Sequence, residues 1–247
     1  MDYDSFLELV KERRTIRRFK PDPIPDEYVD KIIEAARWAP SGYNSQPWEF
    51  VVLKDKKLID TIMQGMDDYW KISRTAETYR ESWMRQTMHP WLDPEMDFRH
   101  APVYIILFGD TRTQDGLPMM IRYDNQRKQT IFLSSLASAY LYMSLAATTL
   151  GLANEWVSSI ATASAHCLVK DLLGIPKELE VYDMMALGYP ACKPRPKLMR
   201  DKAKMVHRDY CGEEDFRTDE EVRDFVRRTR AWVSANHRRG ADKNMVG

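Results

Sequence analysis

Residues 124–150 run for seven and a half turns, at about 3.6 residues each, without a proline or a glycine, and Gly151 ends them. Ala, Leu, Ser and Met dominate the stretch, and apolar positions fall almost all the way around the helix it would form. A helix with a single wet face does not look like this. One that is apolar on nearly every side belongs at the centre of a core or of an interface. Gly151 supplies the left-handed residue that stops such a helix. Whatever else the chain does, it must wrap other elements around this one.

The rest of the chain alternates between helical and extended patterns. Residues 4–14 read as a short helix with Phe6, Leu7, Leu9 and Val10 on one side. Residues 26–38 read as a second, with Asp26 as N-cap after Pro25 and a stripe of Val29, Ile32, Ile33 and Ala36. Residues 48–53 read as a strand, about 55–66 as a helix, 103–108 as a buried strand, 110–120 as a loop, 152–158 as a strand, 165–173 as a helix and 181–187 as a strand. A last helix spans 219 to about 238, announced by the capping box of Thr218 and Glu221. There is no repeat and no Gly/Ser linker, so one α/β domain with insertions is the economical reading of 247 residues.

Residues 67–100 break the pattern. Tyr69, Trp70, Tyr79, Trp83, Trp91 and Phe98 are mixed with many charges and form no core stripe. The segment is either a surface excursion packed on its own aromatics or a lid over a ring-shaped ligand.

Several function classes are disfavoured at this stage. Lys+Arg and Asp+Glu are both 37, so no global field draws the chain to nucleic acid or an anionic membrane. No uninterrupted apolar stretch reaches the length of a membrane span. Three cysteines without a C-x-x-C pair, and an acidic N-terminus without an apolar signal segment, point to a reducing, cytoplasmic setting. No G-x-G-x-x-G or P-loop follows a strand, no G-x-S-x-G elbow is present, and the five histidines show no metal-ligand spacing. Neither a metal nor a protein nucleophile is expected.

Three stretches carry chemistry instead. Arg13, Arg14, Arg17 and Arg18 crowd into six positions around Thr15 and Ile16, where a helix gives way to extended chain. Guanidinium forks match phosphate oxygens bidentately, although basic runs are more often solvated faces. Pro40-Ser41-Gly42-Tyr43-Asn44-Ser45-Gln46-Pro47-Trp48 is dense in turn formers; the amides of Asn44 and Gln46 also suit the edge of a heterocycle. Gly188-Tyr189-Pro190 leaves a strand and runs into a stiff basic segment with Lys193, Arg195, Lys197 and Arg200.

Taken in order, these stretches resemble the nitroreductase family of flavoproteins. Arg13-Arg14-Thr15-Ile16-Arg17, then Ala39 to Phe50 as A-P-S-x-x-N-x-Q-P-W-x-F, then Gly188-Tyr189-Pro190, follow the family pattern, and Leu150-Gly151-Leu152 and Leu173-Gly174-Ile175-Pro176 match two further landmarks. The likeness covers roughly residues 5–65 and 100–210. It implies an α+β nitroreductase-like fold, with a mostly antiparallel sheet flanked by helices, a long central helix and an intertwined homodimer. The whole of 1–247 would be one such domain, with a lid-like insertion at about 67–100 and a C-terminal helical extension at about 213–247.

The resemblance also implies FMN as cofactor. Arg13, Arg14, Thr15 and Arg17 would hold it, Arg13 or Arg14 at the phosphate and Arg17 toward the ribityl chain and the N1/O2 edge. Pro40, Ser41, Gly42, Asn44 and Gln46 would border the flavin of the other subunit. Ser158, Ser159 and Ile160 would lie at the N5/O4 side. One of Arg195, Lys197 and Arg200 would add the last cation. Tyr69, Trp70, Tyr79, Arg80 and Trp83 are candidate lid contacts. The flavin would carry the chemistry, with no catalytic side chain: ping-pong reduction of a small planar aromatic acceptor, such as a nitroaromatic or quinone, with NAD(P)H as donor. Two alternatives stand beside this, a reductive dehalogenase or other specialised flavin enzyme, and a non-catalytic flavin-binding protein. Relatives that fragment flavin resemble R-R-D-x-R at the first motif, where Thr15 stands here.

Overall fold

A computed structural model describes residues 2–79, 81, 98–194 and 197–239. Its elements are α1 (Tyr3–Glu12), α2 (Asp26–Arg37), β1 (Trp48–Leu53), α3 (Lys56–Glu77), β2 (Val103–Asp110), α4 (Met119–Arg122), α5 (Asn125–Thr149), β3 (Ala153–Val157), α6 (Ala163–Leu173), β4 (Leu179–Gly188) and α7 (Asp219–Arg239). Packing divides the chain into two units. The first takes Met1–Tyr69 and Phe98–Lys193, the second Trp70–Asp97 and Pro194–Gly247.

The first unit is a four-stranded sheet in the order β1-β2-β4-β3. Every neighbouring pair is antiparallel. β2, the continuous apolar run, is buried at every position from Val103 to Gly109, as a central strand covered on both faces must be. Val103, Ile105 and Leu107 join Met185 and Leu187 of β4 in a core shared with Val29, Ile32 and Ala36 of α2 and with α5.

The long helix is where its composition requires. Phe132, Leu136, Ala139, Tyr140, Met143 and Ala147 of α5 fill the core. Asp124 caps it, accepting from Arg127 N at 2.9 Å. Gly151, at φ 71°, ends it, and Leu152 N closes the turn on Ala147 O at 2.9 Å. By length and apolarity α5 is also the one helix among the described residues that could cross a membrane, although Ser and Thr interrupt its apolar runs. Its opposite side remains open: Leu133, Leu141 and Tyr142 are exposed. α1 likewise buries none of its residues, leaving Phe6 and Val10 exposed.

Three local expectations are corrected. Asp26 is not the N-cap of α2; Pro25 is, without a side-chain cap, and Asp26 sits in the first turn where its carboxylate meets Lys54. The reason is geometric, since a proline fixed near φ −58° already suits the entry to a helix. α3 does not stop near residue 66 but continues to Glu77. Residues 110–120 are not plain loop. Asp110 accepts from Arg112 N at 2.9 Å and starts a 3-10 turn over Thr111–Gly116, and Pro118 then opens α4.

In the second unit α7 begins as its capping box requires. Thr218 N donates to Glu221 Oε2 at 3.0 Å, and Glu221 N donates to Thr218 Oγ1 at 3.2 Å.

Candidate functional site

The arginine segment is an edge addition to the sheet. After α1 the chain runs extended beside β3, where Thr15 bridges Asn154 in parallel sense and Ile16 N donates to Asn154 O at 3.1 Å. It then meets the exit of β4: Phe19 bridges Pro190, Lys20 N donates to Tyr189 O at 2.9 Å, and Ala191 N donates to Arg18 O at 3.0 Å. Ile16 and Phe19 are buried and act as anchors, so the residues between and before them are held at the rim. Gly188 makes this possible. A Cβ there would stand 2.8–2.9 Å from three atoms of Phe19, closer than side chains pack. The first and third motifs thus come together as far as Ala191. Lys197 and Arg200 belong to the second unit, where Arg200 Nη2 donates to Lys204 O at 3.3 Å. Arg195 lies outside the described residues.

The charges on this rim are unevenly matched. Arg17 Nε pairs with Glu155 Oε1 at 2.7 Å, and the Glu155 side chain is almost wholly buried. Arg13 and Arg14 have no carboxylate partner among the described residues; Arg14 Nη1 donates instead to Arg13 O at 2.9 Å. Burial, and then the neighbouring Arg14 charge, push the Arg13 guanidinium below its ordinary pKa. Two adjacent half-buried guanidiniums without an anion form a site that an anion would stabilise. Asn154 lies alongside, its Oδ1 accepting from Ser144 Oγ at 3.2 Å and its buried Nδ2 without an acceptor among the described residues. This donor set fits a phosphoester with a polyhydroxyl tail.

The second motif forms a strained loop between α2 and β1. Tyr43, Asn44 and Gln46 have φ of 57°, 53° and 42°, a left-handed conformation costing roughly 1–2 kcal/mol per residue. α5 helps hold it: Gly42 N donates to Ser135 Oγ at 3.1 Å, and Gly42 abuts Ile131 so closely that no Cβ fits. Gln46 N donates to Ser41 Oγ at 3.0 Å, and Gln46 Nε2 donates to Asn44 Oδ1 at 3.2 Å. Pro40, Tyr43, Asn44 and Gln46 are exposed, and Ser41 and Gly42 half-buried. Non-glycine residues in this conformation, three within four positions, mark a loop whose shape is over-determined by its surroundings.

The third group lies where β3 ends. Ser158–Ala161 form a 3-10 turn in which Ile160 is fully buried, Ser159 half-buried and Ser158 exposed. Behind it is a polar cluster. Trp156 Nε1 donates to Asp183 Oδ2 at 2.5 Å, and the Trp156 ring stacks on Tyr140 with centroids 3.8 Å apart. Tyr140, fully buried, donates to the carbonyls of Glu155 and Met184 at 3.1 and 3.2 Å. Burial pushes Asp183 up to about 6, opposed by hydrogen bonds from Trp156 and Ser158. Burial and Asp183 together push Tyr182 up to about 12.

Asp183 and Glu155 were missed on sequence. A partial signal was there: each is a carboxylate among mostly apolar neighbours in a strand, and a buried charge needs a reason. Of the lid candidates, Tyr69 and Trp70 are half-buried on α3, and Tyr79 is exposed. Arg80 and Trp83 lie outside the described residues. Among the described residues one mixed cluster of ligating side chains forms: His207, Cys211 and Asp215, all exposed, have ligand atoms within 4.8 Å of one another.

With this geometry in place, relatives can be compared. The sequence pattern of the Nitroreductase family matches residues 10–189. Iodotyrosine deiodinase 1 of Rattus norvegicus is 27% identical over 198 residues, which are 77% of this chain and 64% of that protein; the match therefore spans less than two thirds of that relative. The 5,6-dimethylbenzimidazole synthase of Rhodospirillum rubrum is 30% identical over 205 residues, 80% of this chain and 88% of that one. A crystal structure of oxidized iodotyrosine deiodinase bound to FMN and 3-iodo-L-tyrosine superposes with a TM-score of 0.61 at 25% identity, over 83% of this chain and 99% of the other. Helix–sheet architecture, motif order and these likenesses agree: the chain belongs to the nitroreductase family.

Proposed function

We propose that the protein is an FMN-dependent oxidoreductase that works as a homodimer on a small planar aromatic acceptor, with NAD(P)H as electron donor, in a cytoplasmic setting. The observation that carries this reading is the Arg13–Arg14 pair, two guanidiniums without a carboxylate partner among the described residues, standing on the rim where the first motif meets Gly188–Ala191. Arg13 and Arg14 bind the phosphate, with Arg195, Lys197 or Arg200 adding a further cation. Thr15 contributes a hydroxyl, and Arg17, oriented by Glu155, faces the ribityl chain and N1/O2 edge. Ser158, Ser159 and Ile160 border the N5/O4 side. Bound FMN supplies reversible two-electron chemistry, so no protein nucleophile is needed.

The dimer follows from what one chain leaves uncovered. The open side of α5 (Leu133, Leu141, Tyr142) and the apolar side of α1 (Phe6, Val10) are the surfaces for a second copy. The rigid loop of Pro40, Ser41, Gly42, Asn44 and Gln46 sits beside that side of α5 and reaches the partner's flavin. The chain is then one nitroreductase-like domain, with 67–100 as a lid over the acceptor and 213–247 as a helical extension. Donor and acceptor use the same pocket in turn, and the lid aromatics stack on the acceptor, each pair adding about 0.5–1.5 kcal/mol.

Purified protein is expected to be yellow, to take up FMN with one site per chain, and to oxidise NAD(P)H with a nitroaromatic or quinone. Colourless protein that fails to bind added FMN overturns the reading. The relatives that are iodotyrosine deiodinases favour a second reading, reductive dehalogenation under the same lid. Anaerobic turnover of a halotyrosine beside a nitroaromatic separates the two. Thr15, in place of an acid, speaks against flavin fragmentation. A non-catalytic flavin carrier has no use for an aromatic cover, and steady NAD(P)H consumption excludes it.

A further inference from the structure

Residues 189–218 connect β4 to α7, and among the described ones only two 3-10 turns interrupt the irregular chain, Lys202–Lys204 and Glu213–Asp215. Connections longer than about 12–15 residues without regular structure are uncommon in compact domains. From 201 to 211 every residue is exposed, so this stretch has no core of its own to hold it. It nevertheless has a definite shape. Tyr210 N donates to Arg208 O at 2.8 Å across Asp209, whose φ is 67°. A turn this tight with a positive φ is rare and strained for a residue other than glycine, and it persists only where something fixes its two sides.

Metal-binding side chains flank the turn. His207 precedes it, Cys211 follows it, and Asp215 joins them from the next 3-10 turn; their ligand atoms lie within 4.8 Å of one another. Each is a different donor: an imidazole nitrogen, a thiol sulfur and a carboxylate oxygen. That set suits zinc, whereas calcium and magnesium take oxygen ligands. The side chains are partly oriented already. Gly212 N donates to Asp215 Oδ2 at 3.0 Å, which leaves Oδ1 for a metal. The His207 ring lies beside Phe216, with centroids 6.3 Å apart and planes at 30°. Glu214 folds back over Gly212, where a Cβ would meet its carboxylate at 2.7–2.8 Å. Partial desolvation, and then the Asp215 and Glu214 charges, push the Cys211 thiol above its ordinary pKa, so the cluster lacks a positive charge. His207 and Asp215 also line a cleft of about 490 Å³. Of its basic residues, Lys204 pairs with Glu221 at 3.7 Å and Arg217 lies over the Phe225 ring at 5.7 Å.

We propose that His207, Cys211 and Asp215 form a zinc site, with water as fourth ligand, that staples the connector between β4 and α7. Binding breaks the Cys211 S–H bond and forms a Zn–S bond; the proton goes to solvent and no electron is transferred. The dication is then balanced by one thiolate and one carboxylate, with the imidazole neutral. Ligands about 2.0–2.3 Å from zinc stand about 3.3–3.6 Å apart in a tetrahedron. The three side chains reach that spacing by closing in about 1 Å, a small rotation for exposed groups. A His-x3-Cys-x3-Asp run in irregular chain matches none of the helical or finger-type spacings, which is why the sequence pointed to no metal here. Nothing in this site depends on flavin.

Untagged full-length protein, with whatever flavin it carries, is loaded with zinc chloride, dialysed and assayed for metal. One zinc per chain is expected to remain in the wild type and in Cys167→Ser, a change at an exposed cysteine outside the site. His207→Gln, Cys211→Ser and Asp215→Asn are each expected to weaken zinc binding by more than about 100-fold, beyond what loss of an outer-shell partner costs. Because all three residues are exposed, circular dichroism is expected to match the wild type in each variant. Cobalt(II) is the second probe. Difference spectra are expected to show a thiolate-to-cobalt charge-transfer band that Cys211→Ser abolishes. The third readout is trypsin: zinc is expected to slow cleavage after Arg208, and a chelator to restore it, in the wild type and not in Cys211→Ser. Zinc lost on dialysis, a cobalt spectrum without the thiolate band, or retention unmoved by Cys211→Ser and His207→Gln overturns the site. Zinc retained through these residues with cleavage unchanged overturns the stapling role.

Discussion

At the scale of single residues, two electrostatic features have consequences for solution behaviour. Asp183 binds its proton more tightly in the folded protein, at about 6, than an unfolded carboxyl does at its ordinary value of 3.8. Protonation therefore favours the folded state as pH falls from above 6 toward 4, and that stability is lost as pH rises through 6. Asp183→Asn is expected to raise stability at pH values well above 6 by about 1–3 kcal/mol and to change it little in the acid range. Urea unfolding at several pH values checks this; a gain that is the same at every pH contradicts it. Arg13→Ala and Arg14→Ala each remove charged donors from the proposed phosphate site. Each is expected to weaken FMN binding by about 10- to 100-fold, the equivalent of about 1.5–3 kcal/mol, as read by fluorescence titration. The arginines were legible in the sequence because their density is unusual. Asp183 was legible only as a carboxylate among mostly apolar strand residues; its burial shows only once the strand has neighbours.

At the scale of elements, close approaches decide what can be changed. Gly188 admits Phe19 against β4, and a Cβ would overlap it at 2.8–2.9 Å. Gly188→Ala is expected to cost about 1–3 kcal/mol, as an overpacked contact does, visible as a lower Tm. It should also weaken FMN binding, since Phe19 anchors the strand that carries the arginines. The loop 40–47 is expected to respond in the opposite way. Tyr43→Gly relieves a left-handed residue at φ 57° and should raise stability, by up to about 1 kcal/mol, while loosening a loop that the proposed site needs rigid. Thermal melts beside FMN affinity separate the two effects. Most elements were readable from periodicity: β2 from its unbroken apolar run, α7 from its capping box, α5 from its length. The end of α3 was not, because its later turns carry aromatics and charges without a stripe.

At the scale of the whole molecule, α5 is the element that makes one chain incomplete. Its inward side fills the core while Leu133 and Leu141 remain exposed, 41% and 44%. An apolar face of this kind, next to the uncovered face of α1, is expected to be buried in a homodimer. Sedimentation should give a dimer at micromolar concentration, and Leu141→Glu, or Leu133→Glu together with it, should shift the protein toward monomer and release FMN. A wild-type monomer that retains flavin contradicts this.

Local pattern determined the helices and strands, the punctuation at Gly151, and the order of the three motifs. Those follow from short-range physics: hydrophobic period, capping and backbone freedom are properties of neighbouring residues. Tertiary structure alone decided that Thr15 and Ile16 join the edge of β3, that Arg17 pairs with Glu155 while Arg13 and Arg14 meet no carboxylate among the described residues, and that Asp183 meets Trp156. These pairings join residues far apart in the chain, and the charge state of each depends on burial and counter-charge, which exist only after the sheet has closed against its helices.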